Sequence, residues 1–134
     1  MTLIKWSDTF SVKIQSIDEQ HHKLFDMIND LNTAIKENNE KEKIGIILKD
    51  LVSYTKSHFV YEENMMIKHD YHGYKWHKAI HDDLISEVNK NVRRFDEGQN
   101  IIAKELLNFL LKWLVEHIGG VDKQYSPIFS HKEK

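Results

Sequence analysis

Seven side chains able to hold a metal ion recur along the sequence: His21, His58, Glu62, His77, His81, His117 and Asp122. In HFVYE, residues 58–62, His58 and Glu62 stand four apart, as do His77 and His81 in WHKAIH, residues 76–81. On a helix, positions i and i+4 lie one above the other on the same face, so each pair can reach a single centre from one rod. His117 and Asp122 are five apart, which on a regular helix turns Asp122 roughly 140° away. Gly119 and Gly120 lie between them, each less favourable in a helix than alanine by about 1 kcal/mol, so a π-type irregularity is expected to bring Asp122 back to the side of His117.

All seven fall on stripes that their neighbours mark as core. From Ile17 the stripe runs Ile17, His21, Leu24, Ile28, Leu31, Ile35, with Asp18 the expected N-cap. After the polar run KENNEKEK, residues 36–43, read as a solvated turn, a second stripe runs Ile44, Leu48, Leu51, Thr55, His58, Glu62, Met65. HDYHGY, residues 69–74, is expected to be a loop, after which His77, His81, Leu84, Val88, Val92 and Phe95 share a face. A turn at 96–100, with Asn100 as N-cap, leads to Ile102, Leu106, Phe109, Trp113 and His117, and Pro127 marks where that helix has ended. The fold expected is all-α: an up-down-up-down four-helix bundle over residues 17–126, crossed by an arm, residues 1–16, carrying Trp6, Phe10, Val12 and Ile14.

Composition narrows the chemistry. At 134 residues the chain suits one domain with a real core. Lys+Arg 19 against Asp+Glu 21 gives a net charge of -2, which argues for neither nucleic acid nor an anionic membrane surface as partner. With no cysteine, any metal must be held by nitrogen and oxygen. The N-terminus MTLIKWSDTF lacks the form of a secretion signal, and no stretch approaches the ~20 apolar residues of a membrane span, so a cytoplasmic setting is expected.

Isolated buried charges and unpaired polar groups are costly, and a metal centre compensates all seven at once. Five imidazoles and two carboxylates exceed the needs of one ion. If both carboxylates bridge, three imidazoles and a solvent-derived oxygen complete one octahedral shell, while two imidazoles leave a position open on the other ion. Imidazole with carboxylate suits iron better than magnesium or calcium. The preponderance of neutral ligands disfavours high-valent oxidation and suits binding dioxygen without cleaving it.

IDEQHH, HFVYEENM, HKAIH and WLVEHIGGVDKQY, in this order, resemble the motif set of the hemerythrin family, specifically its single-domain bacteriohemerythrins, over Trp6 to Tyr125. The resemblance implies two non-haem iron ions, ferrous or ferric, with an oxo or hydroxo bridge, that bind dioxygen reversibly. By family pattern His77, His81 and His117 hold one iron, His21 and His58 the other, and Glu62 and Asp122 bridge them. Dioxygen would bind at the iron of His21 and His58, in a pocket lined by Leu114 and the adjacent Trp113. Two departures stand out: His72 where relatives often have proline, and Lys13 where the arm often has glycine.

Other residues have plainer readings. His22 points about 100° from His21 and is expected to face solvent. His69 and His72 suit the C-terminal end of a helix, where a cation is favoured, and His131 belongs to a charged tail. Met65, Met66 and Trp76 are expected to pack in the core or at its rim. A ferritin-like di-iron oxidase would need two Glu-x-x-His motifs, and only Glu19 to His22 has that spacing. A zinc peptidase would need glutamate where HKAIH has lysine. The function expected is therefore non-enzymatic oxygen carriage, storage or delivery, to an unidentified protein recipient. The alternatives are sensing of oxygen, redox state or nitric oxide through a separate partner protein, or a di-iron oxidase.

Overall fold

Residues 3–37, 41–98 and 102–128 are described by the computed structural model. Four helices account for most of them: α1 (Gln15–Lys36), α2 (Lys41–Lys68), α3 (Tyr74–Asp96) and α4 (Ile102–Glu116). Contacts close a ring in which α1 packs on α2 and α4, and α3 packs on α2 and α4. With such short connections the helices alternate in direction, giving the expected four-helix bundle. Among the described residues, no helix is long and apolar enough to cross a membrane.

The interior is divided in two. The larger apolar cluster holds Leu24, Ile28 and Leu31 of α1, Leu48 and Leu51 of α2, Leu84 and Val88 of α3, and Leu106, Leu110 and Leu114 of α4. A smaller one joins Val12, Ile14, Ile17, Met65, Met66, Tyr71 and Tyr125. His21 stands between Ile17 and Leu24, Glu62 between Phe59 and Met65, and His117 and Asp122 between Leu114 and Tyr125. The polar layer is thus capped by hydrocarbon at both ends.

The arm packs as expected. Trp6 and Phe10 lie against Phe25, with ring centroids 5.5 and 5.0 Å apart, and Val12 and Ile14 are buried. Its last turn passes through Lys13 at φ 64°, the left-handed region, which glycine alone adopts without steric cost.

Several sequence expectations need correction. Ile14, not Asp18, is the N-cap of α1, and it has no side-chain capping bond. Asp18 lies in the first turn, where its carboxylate accepts from Ser11 Oγ at 2.6 Å and the Val12 N–H at 2.8 Å, tying the arm down instead. The helix therefore begins two residues before Ile17. α2 begins at Lys41, inside the run expected to be a turn, and α3 begins at Tyr74. On α4 the buried stripe runs Leu106, Leu110, Leu114, His117; Phe109 is 38% exposed, because the leucines win the inward face. Trp76 is 48% exposed rather than packed. Asn100 and His131 lie outside the described residues.

Candidate metal centre

The seven predicted residues come from α1, α2, α3 and the segment after α4, and all are buried, none more than 3% exposed. His77 and His81 project from successive turns of α3, His58 and Glu62 from successive turns of α2. After Glu116 the chain widens into a π-helical turn, His117–Val121, followed by a tight 3-10 turn, Asp122–Gln124. The extra residue per turn undoes the angular mismatch, and Asp122 Oδ1 lies 2.9 Å from His117 Nε2. The expected irregularity is present.

Each carboxylate spans the site. Asp122 Oδ1 also lies 2.9 Å from His77 Nε2, while its Oδ2 lies 3.1 Å from His21 Nε2. Glu62 Oε1 is 3.3 Å from His58 Nε2 and 3.4 Å from His81 Nε2, and its Oε2 is 3.4 Å from His21 Nε2. His77 Nε2 and His81 Nε2 each approach His117 Nε2 to 3.1 Å. Two overlapping sets result: Glu62, His77, His81, His117 and Asp122, and His21, His58, Glu62 and Asp122. Within each set the potential ligand atoms lie within 4.8 Å of one another.

Protons alone do not satisfy this arrangement. A neutral imidazole has one N–H, and His81 Nδ1 lies 2.9 Å from the Glu63 carboxylate, which leaves Nε2 a lone pair facing the other rings. His58 is set the same way, donating from Nδ1 to Gln20 Oε1 at 2.6 Å. His21 Nε2, Glu62 Oε1 and both Asp122 oxygens are buried without a hydrogen bond of acceptable geometry. The lone pairs of His58 and His81, three further buried imidazoles and two carboxylates converging on one layer fit cations, in two places that share the carboxylates.

Burial alone would raise the Glu62 and Asp122 carboxyls, as would their mutual repulsion for Glu62, but the surrounding imidazoles hold both below the ordinary carboxylate range. They are anionic at neutral pH. Burial alone would lower His21, yet Asp122 and Glu62 push it up to about 9. His81 goes the other way, down to about 3, because burial, together with the neighbouring His117 and His77, outweighs Glu62.

Aromatic rings pack on two of the imidazoles. Phe59 stacks on His81 with centroids 3.7 Å apart and planes parallel, and Trp113 stacks on His117 at 4.1 Å and 14°. Trp113 therefore lies against the three-histidine set. Leu114 is buried in the main apolar cluster. His22 is exposed as expected, its ring 5.8 Å from Trp6.

Three residues around the site were not anticipated: Gln20, Glu63 and Tyr125, whose hydroxyl donates to Glu62 Oε2. Each lies off the inward stripe, next to or three residues from a ligand position, so periodicity gives no sign of it. For Gln20 and Glu63 a signal existed in the preference of a metal-binding imidazole for a partner at its other nitrogen.

Residues 12–129 match the sequence family described as the hemerythrin HHE cation binding domain. The chain is 35% identical to a bacteriohemerythrin of Methylococcus capsulatus over 131 residues, which covers 97% of this chain and 99% of that one. It is 34% identical to a bacteriohemerythrin of Stenotrophomonas maltophilia over 126 residues, covering 94% and 81%. A crystal structure of wild-type hemerythrin superposes with a TM-score of 0.88 at 35% identity, covering 96% of this chain and 98% of that one. With the motifs, the bundle and the buried donor layer in agreement with these likenesses, the chain belongs to the hemerythrin family.

Proposed function

We propose that the chain binds dioxygen reversibly at a non-haem di-iron centre, as a binding protein rather than an enzyme, and that residues 1–134 act as one hemerythrin-like domain. His77, His81 and His117 would hold one iron, His21 and His58 the other, and Glu62 and Asp122 would bridge them. The observation that carries this reading is the pair of overlapping buried ligand sets that share both carboxylates. A ferrous pair, when bound, supplies the electrons and the open coordination position that dioxygen needs.

The chain's own residues do the rest. The set with two imidazoles has one donor fewer than its neighbour, so it is the side at which a position is left for a small ligand. Glu62 and Asp122, ionised at neutral pH, offset the charge of two cations. Leu114 and Trp113 are proposed to line the ligand pocket, and the apolar clusters at either end keep bulk water from the layer.

The test is to load the full chain anaerobically with ferrous iron, measure metal per chain, then admit and remove oxygen while recording the visible spectrum. Two irons and a colour that follows oxygen pressure are expected. His77→Ala and Glu62→Ala should each lose iron; full retention in both overturns the ligand assignment. Continuous oxygen consumption without a reversible colour change would mark an oxidase instead.

A further inference from the structure

In metal sites the group behind a ligating imidazole sets how strongly that imidazole donates. Among the described residues, His21, His77 and His117 have a buried Nδ1 without a hydrogen-bond partner. The two others each have one, and they fall in different sets. His58 Nδ1 donates to the neutral amide oxygen of Gln20 at 2.6 Å, and His81 Nδ1 donates to the carboxylate of Glu63 at 2.9 Å. Lys78 acts on Glu63 through space and favours its ionised form, while its ammonium is bound to Asp82 at 2.9 Å.

A carboxylate draws the Nδ1 proton toward itself and pushes electron density to Nε2, and such charge-assisted bonds are about twice as strong as neutral ones. An amide oxygen does much less. We infer that Gln20 and Glu63 are positioning residues that make the two halves of the centre unequal: Glu63 renders His81 the stronger donor, so the three-histidine half holds its cation more tightly and favours its higher oxidation state, while Gln20 leaves the half of His58 weaker and easier to keep reduced. This rests on the two-ion reading above. It goes beyond the ligand count, because it assigns part of the inequality to one amide and one carboxylate that do not face the centre.

Both residues are accessible to exchange. Gln20 borders a surface cleft of about 150 Å³ with Tyr54, Ser57 and Tyr61, and Glu63 borders one of about 350 Å³ with Lys56 and Lys78. Gln20→Glu and Glu63→Gln are nearly isosteric and keep an oxygen acceptor at the same place, so a role limited to orienting the ring would survive both.

Metal-free full-length chain and both variants are titrated with cobalt(II) by calorimetry and visible absorption, which gives two successive affinities. The potentials of the iron-loaded forms are read by spectroelectrochemistry. Glu63→Gln is expected to weaken the tighter step about 10-fold or more and raise the potential, leaving the weaker step in place. Gln20→Glu should tighten the weaker step by a similar factor. Affinities that stay within about threefold of the parent in both variants, where the parent binds two ions, overturn this inference alone. A parent that takes up fewer than two cobalt ions overturns the two-ion reading and this inference with it.

Discussion

Tyr125 has its ring 5.6 Å from that of His77 and its hydroxyl on Glu62 Oε2, and it is fully buried. Burial and the two nearby carboxylates hold the phenol well above its ordinary range, so it remains a proton donor at any ordinary pH. It is a fixed hydrogen-bond donor to a buried anion. Tyr125→Phe keeps the ring and removes only that donor; hydrogen bonds to charged groups contribute roughly 1.5–3 kcal/mol, and the metal-free chain should lose about that much stability. A urea denaturation midpoint equal to the parent's would contradict this. Such a residue was not legible in the sequence, since Tyr125 falls after the last periodic helix, and only the folding back of Asp122–Gln124 brings it to Glu62. That His58 with Glu62 and His77 with His81 share an inward face was legible, because i and i+4 lie one above the other whatever the rest of the chain does.

The end of α2 shows the same limit for whole elements. The Tyr71 N–H donates to the Met66 carbonyl at 2.9 Å and the Asp70 N–H to the Ile67 carbonyl at 3.2 Å, while Asp70 sits at φ 52°. This is a Schellman stop, sealed by Met66 and Tyr71, which lie in the same cluster. Asp70 is the wrong side chain there twice over: the left-handed conformation is strained for a residue with a Cβ, and its negative charge meets the negative end of the helix. Asp70→Gly should therefore raise stability by about 0.5–1 kcal/mol without altering metal content, and thermal melting with metal analysis checks both; a lowered midpoint would contradict it. Sequence marked a loop at Gly73 but not its reason. A Cβ at Gly73 would fall 2.6 Å from the Tyr71 ring, a close approach that periodicity does not encode. The π turn was legible because His117 and Asp122, five apart, can share a face only if the helix widens between them. Its glycines are not needed for space, for a Cβ on Gly120 would meet nothing within 4 Å. Asp18 was misread because a carboxylate at a helix start can turn toward the arm as readily as toward its own helix.

For the molecule as a whole, stability without metal is the open balance. Two apolar clusters and four helices do not depend on any ion, so the metal-free chain should stay helical, unlike small zinc modules whose folding is metal binding itself. The layer between the clusters, however, brings three imidazole nitrogens within 3.1 Å contacts and leaves buried carboxylate oxygens unsatisfied. Each of those groups is expensive to bury unpaired, and together they lower the stability of the metal-free fold relative to the loaded one. Any ion that binds the native state and not the unfolded chain adds stability by mass action, about 2.7 kcal/mol when its free concentration is 100 times its dissociation constant. Stripping with a chelator should therefore leave the far-ultraviolet helical signal nearly intact at low temperature and lower the melting midpoint. Two equivalents of zinc, which is redox-silent, should restore the midpoint, and in His77→Ala the recovery should be smaller. If the stripped and loaded chains melt at the same temperature, the polar layer satisfies itself, and the centre has no need of the ions assigned to it.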